Sequence, residues 1–170
     1  MNEIREIVTK AVIAKGKKTV NLKETINPDY NTYSILGVWI INHEFDVLKK
    51  NDAVEIKGCF ETNIWVSYDE NTKTNIVRKK VDYETTIHVR QVVTDFLEDS
   101  EDAFARILKH PTAVNARIVD SVIELEIAFE IKAEVIGETK MQVTVFSNPA
   151  EVWDVDDFEN EIDENFLEEK

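Results

Sequence analysis

From Ile123 to Val135 the chain reads Ile-Glu-Leu-Glu-Ile-Ala-Phe-Glu-Ile-Lys-Ala-Glu-Val. Successive side chains of an extended strand point to opposite faces. Ile123, Leu125, Ile127, Phe129, Ile131, Ala133 and Val135 therefore share one side, and Glu124, Glu126, Ala128, Glu130, Lys132 and Glu134 share the other. A helix turning every 3.6 residues would mix the two sets. The stretch is a strand with one buried face, and it fixes the period in which the rest of the chain is read.

Two further runs keep that period. Val54, Ile56, Gly58, Phe60, Thr62, Ile64, Val66 and Tyr68 alternate with Glu55, Lys57, Cys59, Glu61, Asn63, Trp65 and Ser67, and Val81 to Val89 alternates in the same way. Shorter strands are predicted over 34–41, 113–119 and 141–146, with turns at Asp69 to Thr72 and at Gly137. The start of the chain reads two ways: Ile4, Ile7, Val8, Ala11 and Val12 fit a helix, and residues 7–14 followed by Lys15-Gly16-Lys17 fit a strand entering a hairpin, the favoured reading. Ser100 to His110 reads as the one helix: Ala103, Phe104, Ile107 and Leu108 have helical spacing, Asp99 or Ser100 offers an N-cap, and Pro111 follows. Residues 54–61 align with 123–130 at an offset of 69, which suggests two related β-hairpin units packed face to face. The sum is a mainly β chain, an antiparallel β-sandwich with one short helix near 100–110.

The 170 residues include 34 acidic and 20 basic side chains, a net charge of −14. Phosphate backbones are bound chiefly by Lys and Arg, so nucleic acid is not an expected partner. The charge is uneven. Residues 150–170 hold ten carboxylates against one Lys, or −9, leaving residues 1–149 with 24 acidic and 19 basic residues, or −5. Close carboxylates oppose compaction, so the expected organisation is a β-rich body over 1–149 and an acidic, disordered tail over 150–170. Trp153, Phe158, Ile162, Phe166 and Leu167 punctuate that tail as a weak apolar stripe suited to folding against a partner. The N-terminus has charges at Glu3, Arg5, Glu6 and Lys10 in place of a secretory apolar run, and no stretch approaches the ~20 apolar residues that cross a bilayer. Cytoplasmic synthesis without membrane insertion is the expectation.

Catalytic chemistry is hard to assemble from these residues. The four Gly residues stand at 16, 37, 58 and 137, too scattered for a phosphate cradle. Cys59 is the sole cysteine, so a disulfide can form only between chains, and its neighbours Lys57 and Glu61 oppose each other in their effect on the thiol. The tail resembles a calcium loop in composition but lacks its glycine and ligand rhythm. His88 shares an exposed polar face with Glu84, Thr86 and Arg90. His110 closes the predicted helix, where it suits the C-terminal dipole. His43, with Glu44 and Asp46, is the one cluster on which a hydrolytic site could centre; capping of backbone donors at a strand end explains it as well. No cofactor or metal site is expected. Trp65, on the charged side of its strand, is either covered by a second layer or makes a protein contact.

Several stretches together resemble the CotE family of spore outer-coat morphogenetic proteins. They are Arg5 to Lys18, the Ile35-Leu-Gly-Val-Trp-Ile-Ile-Asn-His43 run with its flanks Ser34 and Glu44 to Asp46, Val54 to Gly58, Trp65 to Tyr68, Asn71 to Thr74 and Val135 to Lys140, followed by the acidic tail. The resemblance is collinear along nearly the whole chain, although the tail is shorter than the family's usual one and Cys59 is not a family position. It implies a non-enzymatic scaffold, made in the mother-cell cytoplasm and placed in the outer spore coat. Such a scaffold self-associates, docks on inner-layer morphogenetic proteins and recruits outer-coat proteins. The residues expected to bind protein are Trp65 in the body and Trp153, Phe158, Phe166 and Leu167 in the tail. The rivals are a carbohydrate-binding β-sandwich using Trp65 as a platform, which rests on fold analogy, and a coat hydrolase centred on His43.

Overall fold

The structure, a computed structural model, describes residues 2–146. It holds seven strands: β1 (Asn2–Ile26), β2 (Thr32–Lys49), β3 (Ala53–Tyr68), β4 (Lys73–His88), β5 (Arg90–Gln91), β6 (Asp102–Val119) and β7 (Val122–Phe146). They form a four-stranded sheet in the order β5-β1-β7-β6 and a three-stranded sheet in the order β2-β3-β4. β2-β3, β3-β4, β6-β7 and β1-β5 pair antiparallel. Ion pairs from Lys17 to Glu130 and from Lys23 to Glu126 run in opposite chain directions, as an antiparallel β1-β7 pair requires. The described residues divide into two units, Thr9–Thr139 and 2–8 with 140–146.

The larger unit is organised by the alternation that its sequence displays. Val54, Ile56, Phe60, Ile64 and Val66 of β3, Val81, Tyr83 and Ile87 of β4, and Ile123 to Val135 at every second residue of β7 join Ile13, Val20 and Ile26 of β1 in one buried cluster. Both sheets thus turn their apolar faces to a common core. Removing a large side chain from water contributes about 1.5–3 kcal/mol, which identifies these residues as the main source of stability. Rings mark the centre. Phe129 of β7 lies 4.9 Å from Tyr83 of β4 and 6.2 Å edge-on from Phe60 of β3, centroid to centroid.

The helix expected over 100–110 is absent; these residues begin β6. The spacing of Ala103, Phe104, Ile107 and Leu108 satisfies a helix only if all four face inward. In the structure Ala103, Ala105 and Ile107 pack on the core, while Phe104 and Leu108 are exposed. The register of β6 on β7, from Asp102 opposite Ile136 to Val119 opposite Val122, supplies hydrogen bonds that outweigh the local helical signal. Pro111 marks a bulge on this edge strand, where its missing N–H costs no ladder bond. Ser100 is not a helix cap: its hydroxyl donates to the Leu97 carbonyl and accepts from the Glu138 N–H.

Two expected turns are also absent. β1 runs through Lys15-Gly16-Lys17 and β7 runs through Gly137, so neither glycine reverses the chain. Both mark close approach instead. A Cβ on Gly16 would stand 2.3 Å from the His88 carbonyl oxygen, and one on Gly137 would stand 2.9 Å from Cδ1 of Ile13. The turn at Asp69 to Thr72 is present, with φ positive at Asp69, Glu70 and Asn71 and with Thr72 N–H donating to the Asp69 carbonyl. The strands placed over 34–41, 113–119 and 141–146 are parts of the longer β2, β6 and β7.

The repeat at offset 69 reappears in the topology. It carries β3 onto the first two-thirds of β7 and the hairpin β2-β3 onto the hairpin β6-β7. The irregularities correspond as well. Between the pairs Ile41–Glu61 and Glu44–Cys59, two residues of β2, Asn42 and His43, oppose the single Phe60. Between Lys109–Glu130 and Thr112–Ala128, two residues of β6, His110 and Pro111, oppose the single Phe129. β2 and β6 run alongside each other, so the two bulges flank the same aromatic centre.

In the smaller unit, 2–8 and 140–146 are described. Glu6 lies 3.5 Å from the Lys140 ammonium, and Ile4, Val8, Met141 and Phe146 are exposed. Among the described residues neither stretch has a neighbour on its outer edge, since β5 pairs only at Ala14 and Lys15 and β6 pairs no further than Ile136.

Candidate functional site

His43 occupies the β2 bulge, entered through Asn42 at φ 54°. The bulge turns its imidazole toward the core, where Nε2 lies 2.7 Å from the Tyr83 hydroxyl and the ring packs against Phe45, Phe60 and Phe129. Burial lowers the His43 pKa, with a smaller contribution from the charge of His110. Burial likewise pushes the Tyr83 hydroxyl up to about 12, assisted by Cys59. Glu44 and Asp46 project to the opposite, exposed face of β2, on rungs with Cys59 and Lys57. The trio on which a hydrolytic centre would rest is therefore divided between two faces. His43 is a half-buried residue packed against the aromatic core, with a phenol partner.

His88 and His110 are exposed, and His110 sits on the β6 bulge rather than at a helix end. Cys59 is a half-buried free thiol on the outer face of β3. Among the described residues no group of three or more His, Cys, Asp and Glu side chains is gathered where it could hold a metal ion. The larger surface depressions are shallow. One of about 240 Å³ is lined by Thr19, Lys109, His110, Thr112, Phe129 and Glu130 among others, and converges on no nucleophile.

The feature that distinguishes the surface is aromatic. Trp65 lies on the outer face of the β2-β3-β4 sheet, 41% exposed, with Gly37 and Ile76 beside it on the same rung. On the next rung Trp39 is 51% exposed, and the two indoles lie 6.4 Å apart with planes tilted by 34°. Gly37 leaves room for this arrangement, because a Cβ there would meet the Trp39 ring at 2.9 Å. Leu36, Ile41 and Ile76 complete the exposed apolar set. Trp39 was not singled out as a binding residue from the sequence. Trp65 interrupts a polar strand face, whereas Trp39 stands among apolar neighbours in the sequence, and the meeting of the two depends on a bulge between Ile35 and Gly37 that only the pairing reveals. The other four predicted protein-binding residues, Trp153, Phe158, Phe166 and Leu167, lie outside the described residues.

The outer face of the other sheet is a lattice of charges. Glu130 lies between Lys17 and Lys109, at 3.6 and 3.3 Å, Arg117 pairs with Glu124 at 2.6 Å, and Lys132 pairs with Glu134. Surface pairs in which one partner stays in water, such as those of Lys17, Lys109 and Arg117, add little stability, about 0–1 kcal/mol each. They keep that face wet, while the Trp39–Trp65 face is apolar.

The chain matches the family described as outer spore coat protein E over residues 3–169, nearly its full length. No curated protein and no solved structure matches it.

Proposed function

The chain belongs to the outer spore coat protein E family, and from that premise we propose that it is a non-enzymatic morphogenetic scaffold, made in the mother cell, that builds the outer spore coat by binding copies of itself and other coat proteins. The observation that carries this reading is the exposed Trp39–Trp65 face on a body whose one catalytic candidate, His43, turns inward against the aromatic rings and away from Glu44 and Asp46. Contiguous apolar surface of this kind marks a protein contact. The body, residues 1–149, is read as a sandwich of the two sheets that self-associates, aided by the strand edges of 2–8 and 140–146, which present unpaired backbone groups to a further strand. The acidic segment 150–170, with Trp153, Phe158, Phe166 and Leu167, is read as the part that engages partners, including inner-layer and outer-coat proteins.

Light scattering on the size-separated full-length chain tests the reading. Masses that are multiples of 19.6 kDa and rise with concentration are expected. Turnover of model esters by the wild type and its loss in His43→Ala would instead favour a hydrolase.

A further inference from the structure

The outer face of the β2-β3-β4 sheet is divided along its length. At one end the rungs are Gly37–Trp65–Ile76, Trp39–Asn63–Arg78 and Ile41–Glu61–Lys80. At the other end they are Glu44–Cys59–Asp82 and Asp46–Lys57–Glu84, where Lys57 bridges Glu55 at 3.5 Å and Glu84 at 3.2 Å. The first end thus joins indoles and aliphatic side chains to two cations, Arg78 and Lys80, and a single carboxylate, Glu61. Arg78 makes no ion pair among the described residues, and the nearest carboxylate to Lys80 is Asp82, at 4.0 Å. Between Trp39 and Arg78, the Asn63 side-chain oxygen is buried without a hydrogen-bond partner. The rung has charge and hydrogen-bonding capacity that the fold itself leaves unused.

A ligand matched to this end needs apolar anchors separated by negative charge. Within the chain that combination occurs in residues 150–170, where Trp153, Phe158, Ile162, Phe166 and Leu167 are interspersed with ten carboxylates and one Lys. The alternative of two copies meeting face to face on this patch gathers Arg78 and Lys80 of both chains, four cations, against only the two Glu61 carboxylates, a net like-charge contact that the acidic segment converts into an attraction. We propose that the Trp39–Trp65 face receives the acidic segment 150–170 of a second copy, its aromatic side chains packed on the two indoles and its carboxylates meeting Arg78 and Lys80. Each chain carries both halves of this contact. It is therefore heterologous, and it propagates from copy to copy unless the rotation closes a ring. The inference rests on the scaffold reading and names the partner that the aromatic face takes.

The test uses the full-length chain with a photoreactive benzoylphenylalanine in place of Phe158, mixed with a nitrogen-15-labelled chain lacking the probe. After irradiation, cross-links are mapped by mass spectrometry and the same sample is sized by light scattering. Cross-links from the probe to the labelled copy at 36–41, 63–65 or 76–80 are expected, falling several-fold with Arg78→Glu or Trp39→Ala and with raised salt. Both substitutions lie at exposed positions, and circular dichroism checks that the strands persist. Cross-links confined to the probe's own chain, falling on other surfaces, or unaffected by Arg78→Glu would overturn the contact. If the sample is nonetheless assembled, the scaffold reading stands and only this contact fails; if it is monomeric at every concentration, the scaffold reading fails with it.

Discussion

Phe129→Ala is the perturbation that reaches furthest into the fold. Phe129 is 2% exposed, and its ring lies against Tyr83 at 4.9 Å, His43 at 5.6 Å and Phe60 at 6.2 Å, so one side chain of β7 touches β4, β2 and β3 of the opposite sheet. Moving a buried Phe into water costs about 1.5–3 kcal/mol. The cavity left behind adds to this, because the surrounding rings are anchored on strands of two sheets and collapse only in part, which brings the total to about 3–5 kcal/mol. Against a typical domain stability of about 5–15 kcal/mol, that is a large fraction. Urea unfolding followed by tryptophan fluorescence should show the midpoint shifted far down with the slope unchanged. Trp39→Ala, at an exposed position, serves as the control and should move the midpoint little. A Phe129→Ala loss below about 1 kcal/mol, within the range of ordinary surface changes, would refute the claim that the two sheets share one core.

Three other outcomes follow from particular contacts. His43 is held neutral by burial, so its folded pKa lies below the ordinary value near 6.5; the stability it contributes is present above that value and is lost as pH falls through it toward the folded pKa, so wild-type stability should drop on acidification below about pH 6.5. His43→Phe, which keeps the ring but cannot be protonated, should flatten that dependence, and a series of melts across the window would reveal whether it does. Gly58→Ala should destabilise by about 1–3 kcal/mol, since its Cβ would stand 2.6 Å from the Glu44 carbonyl oxygen and 2.7 Å from the Tyr83 hydroxyl; an unchanged melting midpoint would count against the bulge geometry. Trp39→Ala combined with Trp65→Ala should leave folding intact while lowering the mass of assemblies, which sedimentation velocity measures, and wild-type assembly in the double variant would remove the aromatic face from the account.

The strands were legible where one face is predominantly apolar. β3, β4 and β7 bury Val, Ile, Phe, Leu and Tyr83 at most alternate positions, with only Thr62 and Thr85 among them as polar side chains of β3 and β4, and the helical period does not accommodate that pattern. β6 was not, because Ala103, Phe104, Ile107 and Leu108 satisfy helical spacing locally, and only pairing with β7 decides that Ala103 and Ile107 turn inward while Phe104 and Leu108 turn out. The full length of β1 was hidden by Lys15-Gly16-Lys17, which reads as a turn until the β4 backbone is seen pressing on Gly16. Of the candidate site, Trp65 could be found from its place among polar neighbours. Its partner Trp39, and the bulge that sends His43 inward and away from Glu44, are set by register between strands, which local sequence does not encode.

The central claim is that this chain works by assembling with itself. Light scattering on the size-separated full-length protein over a wide concentration range tests it most directly. The account predicts masses well above 19.6 kDa that grow with concentration; a constant mass of a single chain at every concentration would contradict it.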